Sequence, residues 1–105
     1  MIDVTESSFA EDVENASGEG LVVAYFTADW CVPCRQLKPR LEQLETETEG
    51  LTIARVDVDT NTELAQRFRV MSMPTLLLFK DGQVVDEQIG TTDNGTLRAL
   101  FTPYL

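Results

Sequence analysis

The run Leu21-Val22-Val23-Ala24-Tyr25-Phe26 is apolar with no alternation. A strand with one wet face alternates apolar and polar side chains, whereas a strand covered on both faces does not need to. The run therefore predicts an interior strand with helices on both sides of its sheet. Beyond it, Leu37, Leu41 and Leu44 recur at helical spacing. Between strand and helix stands Trp30-Cys31-Val32-Pro33-Cys34, which holds both cysteines of the chain.

Two residues between two thiols serve two common purposes. One is half of a zinc site, which needs a second Cys or His pair. With no His and no third Cys, one copy of this chain cannot complete such a site. The other is a redox pair that closes into a disulfide and reopens. A strand-to-helix junction suits the second use. Free backbone N–H groups and the positive end of the helix dipole gather at a helix N-terminus and favour a thiolate. The first cysteine is thus expected to be acidic and nucleophilic.

The rest of the chain alternates between strand and helix signals. Ile2 and Val4 suggest a short first strand; Thr5 or Ser7 can cap a helix carrying Phe9, Val13 and Ala16, ended by Gly18 and Gly20. The helix after the cysteines is expected to run to about Glu49, kinked by Pro39 and broken by Gly50. Leu51 to Asp59 reads as the next strand, and Thr60-Asn61-Thr62-Glu63 fits a capping box opening a short helix with Leu64 and Phe68. Pro74 sits at the head of a strand, Thr75 to Phe79. Asp81-Gly82 signals a hairpin to a last strand, Val84 to Ile89. Asp93 or Thr92 caps a final helix with Leu97, Leu100, Phe101 and Tyr104 inward, its last turn disturbed by Pro103. Strand–helix–strand–helix followed by a hairpin predicts an α/β fold.

At 105 residues the chain is expected to form one domain, residues 1–105, burying roughly 65% of its unfolded surface. The longest apolar run, about eight residues, is too short to cross a bilayer. Met1 to Glu6 lacks a basic segment followed by an apolar one, so no signal peptide and a reducing cytoplasm are expected. There a close cysteine pair is more often catalytic than structural. The net charge of −10 argues against nucleic acid as a partner. Eighteen acids against eight cations, of which only Lys38 and Lys80 are lysines, suggest either a well-solvated surface or adaptation to high salt.

Four features in order resemble the thioredoxin family across nearly the whole chain: Ala28-Asp29-Trp30-Cys31-Val32-Pro33-Cys34-Arg35, Pro39 in the following helix, Met73-Pro74-Thr75 to Lys80-Asp81-Gly82, and Gly90. The resemblance implies a thioredoxin fold: a central mixed β-sheet of four or five strands with about four helices on its two faces. It implies a protein-disulfide reductase in which Cys31 attacks a target disulfide and Cys34 resolves the mixed disulfide. The resulting Cys31–Cys34 disulfide is re-reduced by a thioredoxin reductase. No cofactor or metal is implied, and a monomer is expected. Trp30, Val32, Pro33, Met73, Pro74 and Gly90 are the implied substrate-binding face. The Met73–Pro74 bond is implied to be cis, against a general frequency of about 5% for X–Pro bonds. Met71, by contrast, is expected to fill a gap in the core.

The sequence departs from the family at Val32, where Gly is usual, and at Thr27, where Trp is frequent. Tyr25 stands where the family commonly buries an Asp that helps Cys34 lose its proton, and Arg55 where it often has Lys. A phenol with a pKa near 10 is a poor base at neutral pH. A water, or a carboxylate such as Asp57 or Asp59, then becomes the expected relay, unless the step is simply slower. Competing readings are a thiol oxidase or isomerase, a non-catalytic binding module, and a metal- or iron–sulfur-bridged dimer. A glutaredoxin fits less well, given Trp30 and Pro33.

Overall fold

The computed structural model describes residues 1–105. A five-stranded sheet runs in the order β1-β3-β2-β4-β5, with β1 at Ile2–Asp3, β2 at Leu21–Thr27, β3 at Leu51–Asp57, β4 at Thr75–Lys80 and β5 at Gln83–Ile89. Strand β2 is central. It pairs parallel with β3, Leu21 opposite Leu51 through Thr27 opposite Asp57, and antiparallel with β4, Val22 opposite Phe79 through Phe26 opposite Thr75. All seven β2 residues are buried, which is what the uninterrupted apolar run requires. The sheet is mixed because β4 and β5 form the predicted hairpin. Asp81 and Gly82 both take positive φ, 52° and 80°, the pair of conformations that an Asp-Gly turn supplies.

Helix α1, Val32–Glu47, directs Cys34, Leu37, Leu41 and Leu44 into the core. Helix α2 spans Thr62–Arg67 and α3 Asn94–Phe101. Truncating one of the fully buried leucines, Leu41 for example, is expected to cost about 2–5 kcal/mol. Phe9, Phe68 and Phe79 meet with ring centroids 5.4–5.6 Å apart, fastening the N-terminal helical segment to the sheet.

Several local expectations are corrected. The first helix is wound as π-helix over Ala10–Asn15 and 3-10 helix over Ala16–Gly18. Its buried residues recur every four positions (Phe9, Val13, Ser17), a spacing wider than the α-helical 3.6 and narrower than the π-helical turn, so periodicity did not distinguish them. Helix α1 stops at Glu47, two residues early, because Thr48 is extended and Gly50 is left-handed at φ +83°. Strand β3 ends at Asp57 rather than Asp59, where the chain turns toward α2. The capping box does not form. Asn61 takes the N-cap place without capping through its side chain, whose amide instead donates to the Asp57 carbonyl and accepts from the Glu6 N–H. Met71 is 92% exposed, so it does not fill the core.

Candidate active site

The site is assembled where β2 meets α1. Thr27 ends the strand, Ala28 to Trp30 turn outward, and Cys31 takes the N-cap of α1 in an extended conformation. An N-cap side chain accepts a hydrogen bond from the N–H two or three residues on, usually through oxygen. Here sulfur does so: Cys34 N–H donates to Cys31 Sγ at 3.2 Å. Pro33 lies in the first turn, where its missing N–H costs nothing. The cap geometry thus delivers a donor and the helix dipole to one sulfur atom, the arrangement that favours its thiolate. The two cysteines form a disulfide with Cα atoms 5.3 Å apart, Cys31 4% and Cys34 1% exposed.

Around the pair, Trp30 and Val32 are 62% and 59% exposed, large apolar side chains left in water. Trp30 is not a core aromatic. Its indole N–H donates to Asp59 Oδ2 at 2.9 Å, which fixes the ring outside. The Met73–Pro74 bond is cis. Gly90 N–H donates to the Pro74 carbonyl at 2.8 Å, so the heads of β4 and the tail of β5 close together. Gly90 needs its φ of +85°, which a residue with a Cβ rarely adopts. Met73 is half-buried and packs on the core, and Arg40 of α1 donates to the Thr92 carbonyl at 2.8 Å, tying the loop after Gly90 to the active-site helix. Since Phe26 pairs with Thr75, Pro74 lies at the same end of the sheet from which the chain leaves for Cys31.

Below the cysteines the surroundings change. Tyr25 is buried, and its hydroxyl donates to the Cys34 carbonyl at 2.7 Å. Burial pushes the phenol above its ordinary value of 10.0. A cavity of about 160 Å³ opens beside it, lined by Tyr25, Thr27, Ala28, Asp29, Cys34, Arg35, Lys38 and Arg55. Neither Asp57 nor Asp59, the relays expected from sequence, lines it. Asp57 Oδ1 accepts from Asp59 N–H and Asp59 holds Trp30. Asp29 and Arg35 belong to the motif segment without a role assigned from sequence, and Lys38 lies outside it. The signal that finds them is the parallel register Tyr25 opposite Arg55 combined with the i, i+3 spacing of Arg35 and Lys38 on α1. No group of three or more His, Cys, Asp or Glu side chains is placed to hold a metal ion. No helix is long and apolar enough to cross a membrane.

Such a pair can exchange a disulfide with another thiol or disulfide in two displacements at sulfur. Comparisons with known proteins agree with that chemistry. The thioredoxin family model matches residues 1–102. The thioredoxin of Mycobacterium tuberculosis is 47% identical over 97 residues, covering 91% of this chain and 82% of that protein. The thioredoxin of Bacillus subtilis is 40% identical over 106 residues, covering 100% of this chain and 98% of that one. A bifunctional thioredoxin reductase/thioredoxin of Mycobacterium leprae is 42% identical over 97 residues, which are 91% of this chain and 21% of the relative. With its redox-active cysteine pair at the helix N-cap, the chain is a thiol–disulfide oxidoreductase that belongs to the thioredoxin family.

Proposed function

We propose that Cys31 is the attacking and Cys34 the resolving residue of a general protein-disulfide reductase, working as a single domain and a monomer. The observation that carries the assignment is the hydrogen bond from Cys34 N–H to Cys31 Sγ at the N-cap of α1. Cys31 thiolate attacks one sulfur of a target disulfide and expels the other as a thiolate. Cys34, once deprotonated, attacks Cys31 Sγ and expels the second target thiolate. The target gains two electrons, and Cys31–Cys34 ends as the disulfide.

The exposed Trp30 and Val32, with Pro33, Met73, Pro74 and Gly90, form the face on which the target docks. Its extended segment adds to the backbone at Met73, as strands add to a free edge. The electron donor in this reading is a thioredoxin reductase; the Mycobacterium leprae relative unites the two names in one protein. The cysteine couple works without cofactor or metal, in the cytoplasm. The acidic surface suits high salt: five of eighteen carboxylates (Asp3, Glu14, Asp29, Glu45, Glu47) are in ion pairs. Thermal stability should rise from millimolar to molar salt, and a flat response would remove the halophilic reading.

The reduction potential of the Cys31–Cys34 couple, measured at high salt in a dithiol buffer, tests the direction of transfer. A value near about −270 mV, already established for thioredoxin, supports the reductase; one near about −180 mV, that of protein disulfide isomerase, favours the oxidant or isomerase reading, with Val32 as its cause.

A further inference from the structure

Three of the eight cations in the chain, Arg35, Lys38 and Arg55, line one cavity of about 160 Å³, although the molecule as a whole carries a charge of −10. Two hydroxyl-bearing residues, Tyr25 and Thr27, share the lining, and Cys34 forms part of it. Asp29 is the one carboxylate present, and it is committed. Its Oδ1 lies 3.5 Å from Arg55, and its side chain is 87% exposed. Arg35 donates to the Asp29 carbonyl at 2.6 Å, which ties its guanidinium to the loop before Cys31. Arg55 also reaches Asp3, at 3.2 Å. Lys38 takes part in no ion pair, and Glu42, one turn further along α1, does not line the cavity. The Tyr25 hydroxyl is spent on the Cys34 carbonyl, so the anion-binding character lies in the excess positive charge, the unpaired ammonium and the Thr27 hydroxyl, which together are complementary to a small anion.

We infer that this cavity binds a small carboxylate (the class of formate, acetate and bicarbonate) between Lys38 and the Tyr25–Thr27 wall, beside Cys34. The volume suits such an anion with a few waters, each taking about 30 Å³ of liquid. The site has a consequence for the reaction, and this part rests on the reductase reading above. Cys34 must lose a proton before it can attack Cys31. Tyr25 and Thr27 are not bases at neutral pH, the three cations have no proton-accepting capacity, and Asp29 turns its largely exposed carboxylate to Arg55. A bound carboxylate supplies it. RCOO⁻ takes the proton from Cys34–SH, and Cys34–S⁻ attacks Cys31 Sγ. The target sulfur leaves as a thiolate and recovers the proton from RCOOH, which restores RCOO⁻. One S–S bond forms, one breaks, and the anion is unchanged.

Two measurements test the site. In the first, acetate replaces perchlorate at constant ionic strength while backbone amide resonances of the ¹⁵N-labelled disulfide form are followed. Saturable shifts are expected at Tyr25, Thr27, Cys34 and Arg35, with the midpoint raised at least five-fold in Lys38→Gln. Shifts linear in acetate, shifts elsewhere, or the same saturation with chloride would overturn the site. In the second, the resolving step is timed by stopped flow after reduced protein meets a model aryl disulfide. Its rate should rise about five-fold along the same binding curve, the gain in Lys38→Gln shifting with its weaker midpoint. A rate linear in acetate is bulk buffer catalysis and overturns the proton-accepting role. The resonance titration needs no turnover. Saturable binding by a protein that fails to reduce insulin with dithiothreitol would therefore sink the reductase reading and leave the site. Insulin reduction without saturable binding would sink the site alone.

Discussion

Trp30 and Val32 leave most of their apolar surface in water on one flank of the cysteine pair, whereas the other flank opens on a cavity with three cations and one acid. The first flank is organised by bonds that each have a backbone partner: the Cys34 N–H on Cys31 Sγ at the N-cap, the Gly90-to-Pro74 hydrogen bond, and the Arg40 side chain on the Thr92 carbonyl. The second is organised by side chains from three separate segments, brought together where β2 and β3 run parallel and α1 crosses above them. In the proposed mechanism Cys31 serves the flank that receives the target polypeptide, and Cys34, which lines the cavity, serves the one that handles the proton. The contrast teaches that two sulfurs three residues apart are given different chemistry by what surrounds each, not by their own identity.

The largest effects should come from the cysteines themselves. Cys34→Ser is expected to leave the attack intact and to accumulate a covalent complex with the target, visible on non-reducing gels and released by dithiothreitol. Cys31→Ser should form no complex and lose turnover by at least three orders of magnitude. General acid–base effects alone are worth about 10²–10⁴-fold, and removing the nucleophile costs more. The reverse pattern, trapping by Cys31→Ser, would exchange the roles of the two flanks.

A smaller effect probes the cavity flank. Tyr25→Asp puts a carboxylate where the phenol donates to the Cys34 carbonyl, and resolution of the mixed disulfide should quicken about ten-fold, within the usual range for a general base. The same substitution removes a buried aromatic ring, with a stability cost of roughly 3–5 kcal/mol if the site does not collapse. Tyr25→Phe keeps the ring and loses one net hydrogen bond, about 1 kcal/mol, without gaining speed. An unchanged or slower rate in Tyr25→Asp would mean that proton removal from Cys34 does not limit this step.

How much of this was legible in the letters divides along the same line. The Trp30–Val32 flank is mostly local. A continuous apolar run, a Cys at the junction with a helix, Pro at a strand head and Asp-Gly between strands each act within a few residues. Their readings, and the mixed five-stranded sheet they imply, hold in the structure. The cavity flank is non-local. Arg55 is legible as a departure on its own strand, yet its meeting with Lys38 depends on strand register and on the crossing of α1, which no short window contains. The same limit undid the capping box. Asn61 bonds to Glu6, 55 residues away, and that partnership outweighs the local signature. Met71 failed for another reason. In an irregular loop, apolarity carries no period and so no direction, and the Thr75 hydroxyl closes the turn on the Ser72 carbonyl with Met71 left outside.

The dependence of the proposed docking flank on its Arg40 tether can be broken more gently. Arg40→Ala removes the donor to Thr92 and the contact with the Thr91 hydroxyl at 3.3 Å, freeing the loop after Gly90 from α1. The expected result is a KM for a protein target raised about three-fold, with kcat and the reduction potential unchanged, since exposed positioning contacts are each worth under about 1 kcal/mol. A changed potential would show that the loop acts on the cysteines as well as on the target.

The smallest expected effect lies beyond that loop, at the cap of α3. Asp93 accepts from Thr96 N–H at 2.7 Å, and this bond, made by the ionised carboxylate, holds its pKa below the ordinary 3.8. A carboxyl group whose folded pKa is lowered contributes stability that is fully present above its unfolded pKa and disappears as pH falls through the folded one. Asp93→Asn keeps an acceptor but removes the charge, so its melting temperature should lie a few degrees below the parent at pH 7. The two should converge as pH is brought down through 3.8 and below, where the parent carboxylate also becomes neutral. A gap that persists unchanged at the acid end would assign the loss to side-chain geometry rather than charge. In that event α3, whose first residues follow directly on the Thr92 tether, is anchored by shape alone.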